Sequence, residues 1–161
     1  MTLRTLGIAI AAIAAIAAME VIRSPLRAHE RAPFSPKKDT RALQDARTVS
    51  DGVYTDEQAK RGRAIYEEHC ARCHGPTLAG GEVAGPLVGP IFGANWNGVS
   101  MADMVERTKV TMPLDGPGKM SRQQIADVLA YVLSANKFPA GKTELPRQAE
   151  MLGLIKFQPL K

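Results

Sequence analysis

Residues 70–74 read Cys70-Ala71-Arg72-Cys73-His74, a C-x-x-C-H run that uses both cysteines of the chain. Two thiols three positions apart can each add to one vinyl group of a haem as thioethers, while the next residue sets an imidazole against the iron. One short segment thereby fixes ring and axial ligand together. Cys70 and Cys73 are the candidate attachment points, His74 is the candidate iron ligand, and a single haem c is the implied cofactor. Two other chemistries use similar spacings. A C-x-x-C redox pair sits at the start of a helix after a strand, whereas this one follows a helical pattern with no strand in view. A structural zinc ion needs four ligands, and His69 and His74 lie too close to the cysteines to complete the set. His69 reads as a solvated helix residue and His29 as a linker residue.

Working outward, Thr55-Asp56-Glu57-Gln58 has the capping-box form and opens a helix to about Cys70, with Ala59, Ile65 and Tyr66 among its apolar positions. After the motif, Gly75, Gly80, Gly81, Gly85, Gly89, Gly93 and Gly98 together with Pro76, Pro86 and Pro90 forbid long regular structure over 75–99. That segment must wrap something. Ser100 with Asp103 caps a second helix, Met101 to about Val110, which ends before Pro113. Ser121 caps a third through about Ala135, with Ile125, Val128, Leu129 and Val132 on its buried stripe. No strand of any length is expected, so the class is all-α.

A second axial ligand has to come from elsewhere in the chain, and the downstream methionines are Met101, Met104, Met112 and Met120. Met101 and Met104 fall on the buried face of the second helix. Met112 lies in Thr111-Met112-Pro113, between two helices, where the proline stiffens the backbone and the thioether can project to the open face of a haem. Met112 is the preferred ligand and Met120, directly before the Ser121 cap, is its rival. His/Met ligation raises the potential relative to two nitrogen ligands and leaves no open iron position.

The 161 residues suit one compact domain with extensions. At 45% hydrophobic and 23% charged, the chain as a whole is neither disordered nor a multi-span membrane protein. Aromatic residues are only 5%, with the single Trp96, so side chains alone give little bulky core material, and a covalently held macrocycle would supply it. The net charge of +5 hints at an acidic partner or surface; nothing points to nucleic acid.

At the amino end, LGIAIAAIAAIAAM, Leu6 to Met19, is an uncharged run following Arg4 and closed by Glu20. It falls short of the about 20 apolar residues of a spanning helix, and Ala15-Ile16-Ala17 has the small-x-small form of a cleavage site. Against cleavage stand Arg23, Arg27 and Arg31 just beyond. Residues 1–22 are therefore expected to be a signal peptide or a membrane anchor, and the domain to work outside the cytoplasm. Residues 23–54, polar and broken by Pro25, Pro33 and Pro36, read as a linker. Residues 55–136 form the domain, and 137–161 a C-terminal extension that packs on it through Leu152, Leu154, Ile155 and Phe157.

With the motif on this helical skeleton, the chain resembles the class I cytochrome c family over roughly Thr55 to Ala135. The resemblance implies a fold of about three main helices around one covalently bound haem, loop-rich between them. Gly62 and Tyr66, eight and four residues before Cys70, match the positions where the family's first helix crosses its last, here Asp127-Val128-Leu129-Ala130-Tyr131. Gly85-Pro86-Leu87-Val88-Gly89 is similar to the family's Gly-Pro segment, which implies that the Pro86 carbonyl accepts a hydrogen bond from His74. Trp96 is implied either to contact a haem propionate or to pack in the core. The run from Thr111 to Ser121 and the following Asn136 to Pro146 resemble monohaem cytochromes that serve exported dehydrogenases, where the Met120 position is often Leu, in support of Met112.

The function implied is that of a periplasmic carrier of single electrons from a dehydrogenase to a terminal oxidase or another cytochrome, and not of an enzyme. Arg72, Lys109, Lys119 or Lys137 would steer an acidic partner. Two alternatives stay open: a five-coordinate haem sensor or small-ligand binder, and a permanent electron-transfer subunit of a dehydrogenase complex. A dihaem peroxidase would need a second C-x-x-C-H, which the sequence lacks.

Overall fold

The structure, a computed structural model, describes residues 47–160. The run expected as signal peptide or anchor and the linker up to residue 46 lie outside the described residues. Six helices and a minimal strand pair make up the domain: β1 (Arg47–Thr48), α1 (Asp56–His69), α2 (Ala71–His74), α3 (Gly89–Trp96), α4 (Met101–Thr111), α5 (Arg122–Ala135), α6 (Ala149–Gly153) and β2 (Ile155–Lys156). Among the described residues no helix is long and apolar enough to cross a membrane.

Side-chain caps start the three long helices. Thr55 accepts from the Gln58 N–H at 3.1 Å at the start of α1, Ser100 from Asp103 at 3.2 Å at α4, and Ser121 from Gln124 at 3.2 Å at α5. At α5 the box is complete, because Gln124 returns a bond to the Ser121 N–H at 2.9 Å. At α1 only half of the expected box forms. Gln58 is fully buried and its amide is used elsewhere: Nε2 donates to Asp127 Oδ1 (3.1 Å) and to the Leu145 carbonyl (3.0 Å), and Oε1 accepts from the Leu145 N–H (2.7 Å). A buried amide surrounded by three partners has no reason to turn back to its own helix end.

The core is built where α1 crosses α5. A Cβ on Gly62 would overlap the Asp127 carbonyl oxygen, so only glycine lets the two backbones approach this closely. Next to the crossing, Tyr66 and Tyr131 meet with ring centroids 5.4 Å apart. Asp127 also receives Arg61 (3.3 Å to Oδ2) and Gln123 (2.9 Å), which leaves this buried carboxylate surrounded by donors.

Three features depart from the sequence reading. The described end of the expected linker, 47–54, is part of the fold: Val49, Val53 and Tyr54 are buried, and the Tyr54 hydroxyl donates to the Phe138 carbonyl at 2.6 Å. Its polar look came from residues that cap a short 3-10 turn, Val49–Asp51, in which Asp51 accepts from the Thr48 N–H. A two-residue parallel pairing, Arg47 with Ile155 and Thr48 with Lys156, stands where no strand was expected. And α3 forms inside the glycine- and proline-rich segment, because Pro90 falls in its first turn, where no helical N–H bond is lost.

The tail packs on the domain. Phe138, Leu145, Leu152, Ile155 and Phe157 are all buried, and Phe157 meets Phe92 at 5.5 Å and Phe138 at 5.4 Å edge to face. Phe92, Trp96, Phe138 and Phe157 thus form one aromatic group that joins α3 to the tail.

Candidate haem site

α1 ends at His69, the backbone turns at Cys70, and the single turn α2 carries the rest of the motif. The turn is closed by the N–H groups of Cys73 and His74, both donating to the Cys70 carbonyl at 3.1 and 3.0 Å. The Tyr66 hydroxyl reaches past it to the Gly75 carbonyl at 2.6 Å. Burial pushes the Tyr66 phenol up to about 12, so it remains a donor throughout the neutral range.

His74 Nδ1 lies 2.9 Å from the Gly85 carbonyl. A carbonyl only accepts, so the proton sits on Nδ1 and Nε2 keeps its lone pair for a metal. The acceptor is one residue before the expected Pro86. Gly80 explains the register: at φ +79° it sits so close to the Gly85–Pro86 peptide that a Cβ would lie 2.7 Å from both the Gly85 carbonyl carbon and the Pro86 nitrogen. This approach brings the peptide ahead of the proline ring to the imidazole. Gly80 was one of seven glycines in the sequence segment, and nothing in its neighbours singled it out.

Cys70, Cys73, His74 and Met112 all line one cleft of about 940 Å³, its open mouth included. Met112 stands at the carboxyl end of α4, its N–H bonded to the Thr108 carbonyl at 2.8 Å. Met120 is not part of the lining; it is buried in the core, and its carbonyl accepts from Lys109 Nζ at 2.9 Å. Met104, Leu87, Phe92, Val128, Leu129 and Val132 make the walls apolar, while Arg107, Thr108 and Thr111 add a polar margin. Two thiols, an imidazole and a thioether around an apolar cleft with a polar margin fit a haem, which has an apolar ring and an acidic edge. Trp96 also lines the cleft, with the Arg107 guanidinium 5.6 Å from its ring centroid and Phe92 on another side.

His69, read as a solvated helix residue, borders the cleft as well. The sequence reading missed Asn136, which closes the structure around the site: its Nδ2 donates to the Leu87 and Val132 carbonyls (2.9 and 2.8 Å) and its Oδ1 accepts from the Gly89 N–H (3.0 Å). A single side chain thus ties the end of α5 to the loop that supplies Leu87. A lone asparagine after a helix carries no such message in sequence.

The geometry also weighs against a redox use of the cysteines. Burial pushes the Cys70 thiol up to about 11, the opposite of the lowered value that activates a redox cysteine pair. Among the described residues no set of three or more His, Cys, Asp or Glu side chains is grouped to hold a metal ion.

Residues 57–132 match the family profile described as cytochrome c oxidase, cbb3-type, subunit III. The matched segment runs from α1 through most of α5 and includes the C-x-x-C-H motif and Met112. It supports a c-type cytochrome domain with an all-α cytochrome c fold, a haem protein of electron transfer that works with redox partners. Comparison with curated proteins gave no match, and comparison with solved structures gave none.

Proposed function

We propose that this chain is a periplasmic monohaem class I cytochrome that carries single electrons from a dehydrogenase to a terminal oxidase or another cytochrome. The observation that carries the reading is the convergence of Cys70, Cys73, His74 and Met112 on one apolar cleft. When bound, the haem supplies a reversible one-electron iron couple. Cys70 and Cys73 hold its ring, and the sequence has only one such pair, hence one haem. His74, fixed through Nδ1 by Gly85, would offer Nε2 to the iron, and Met112 would offer its sulfur. The apolar side chains of the cleft would surround the ring and favour its less charged, reduced state. With His74 and Met112 both on the iron, no position would remain there for substrate, in keeping with a carrier. The uncharged run at Leu6 to Met19 supports export, either as a cleaved signal or as a tether to the inner membrane.

Carbon monoxide tests this directly. Reduced holoprotein at neutral pH should keep its spectrum under carbon monoxide, because Met112 occupies the iron. A prompt shift of the main absorption band would instead favour the five-coordinate sensor.

A second reading is favoured by the description of the matched family, which names an oxidase subunit. In that reading the same electron-transfer site is held permanently in a larger membrane complex. Native material extracted in mild detergent separates the two: a carrier elutes near the mass of one chain, a subunit with its complex.

A further inference from the structure

Arg72 lies between the two cysteines, and its guanidinium donates to Asp115 Oδ2 at 2.7 Å. Asp115 belongs to the turn that follows Met112, whose first residues Met112, Pro113 and Leu114 line the cleft. The ion pair therefore joins the segment that carries His74 to the segment that carries Met112. The two are 43 residues apart in sequence.

Both ends of this turn are tied to α4. Met112 donates to the Thr108 carbonyl at 2.8 Å at the near end. At the far end Lys109 Nζ donates to the Gly118 and Met120 carbonyls at 3.2 and 2.9 Å, and Gly118 donates to the Lys109 carbonyl at 2.8 Å. The apex, residues 113–117, is otherwise bonded only to its own turn: Gly116 N–H to the Pro113 carbonyl, and Lys119 to the Asp115 and Gly116 carbonyls. Among the hydrogen bonds and ion pairs of the described residues, Arg72–Asp115 is the one that holds the apex to another part of the fold. Consistent with this contact, Arg72 holds the Asp115 carboxyl below the usual carboxylate range.

We infer that Arg72 and Asp115 are positioning residues for Met112: their ion pair straps the apex of the Met112 turn to the haem-attachment segment and sets how often the thioether leaves the iron and admits an outside ligand. This rests on the His74/Met112 reading above. Both side chains are well exposed, 74% and 58%, so the strap is screened by salt and modest in strength. Its loss should change the opening rate while the site itself survives.

The test uses oxidised holoprotein and imidazole, at concentrations where binding is limited by departure of the methionine. Asp115→Asn and Arg72→Gln should each speed imidazole entry about two- to fivefold. The double variant should be no faster than the faster single one, because both remove the same bond. Added salt should speed the wild type and leave the double variant unchanged. Unchanged rates in the single variants, or effects that multiply in the double, would overturn the strap. The weak far-red absorption band of iron bound to thioether sulfur separates the ligand from its strap: a wild type that lacks it overturns the Met112 reading and the strap with it, whereas a band present with unaltered rates overturns the strap alone.

Discussion

A methyl group at position 62 has nowhere to go, because the atom it would meet is the Asp127 carbonyl oxygen of a packed helix and not the end of a flexible side chain. Gly62→Ala should cost about 3 kcal/mol or more, seen as a lower melting temperature or poor recovery of holoprotein. Gly153→Ala, with open space around the added Cβ, should be close to neutral and serves as the control. Removing only the Tyr66 hydroxyl is milder. Tyr66→Phe loses the 2.6 Å bond to the Gly75 carbonyl and should cost about 1 kcal/mol in thermal unfolding. At this scale much was legible in sequence: the spacing of Gly62, Tyr66 and Cys70 and the C-x-x-C-H motif are local patterns, and the structure sets Gly62 at the crossing and Cys70, Cys73 and His74 on one cleft. The acceptor of His74 was misplaced by one residue, since which peptide of a loop reaches an imidazole depends on Gly80 packing against it, a contact that spacing does not encode.

Between elements, Gln58 links α1 to α5 and to the tail. Gln58→Leu would leave both the N–H and the carbonyl of Leu145 buried without a partner, and chemical denaturation should show a loss of about 2–4 kcal/mol. The short turn before α1 gives a pH-dependent counterpart. The Thr48 N–H holds the Asp51 carboxyl below its ordinary value, so its contribution to stability is present above the ordinary carboxylate range and is lost as pH falls through the lowered one. The melting temperature of Asp51→Asn should lie below that of the wild type at neutral pH, and the gap should close in acid. Helix starts were readable because Thr55, Ser100 and Ser121 act on N–H groups within their own first turn. α3 and the strand pair were not, since the first is short and glycine-rich and the second exists only because the tail returns to meet Arg47.

Over the whole molecule, the tail is structural. A chain ended after Asn136 loses Phe138, Leu145, Leu152, Ile155 and Phe157 from the core and should fail to give a cooperative thermal transition. The basic surface named from sequence is partly engaged, with Arg72 on Asp115 and Lys109 on two loop carbonyls, yet these charges remain on the molecule and add to its net +5. Reduction by an acidic partner should therefore slow as ionic strength rises in stopped-flow measurements. The central claim is the closed His74/Met112 site, and the far-red iron–thioether band of the oxidised holoprotein tests it most directly. The band should be present in the wild type and in Met120→Leu, and lost in Met112→Leu together with new carbon monoxide binding after reduction. A band that survives Met112→Leu, or a wild type without one, would contradict it.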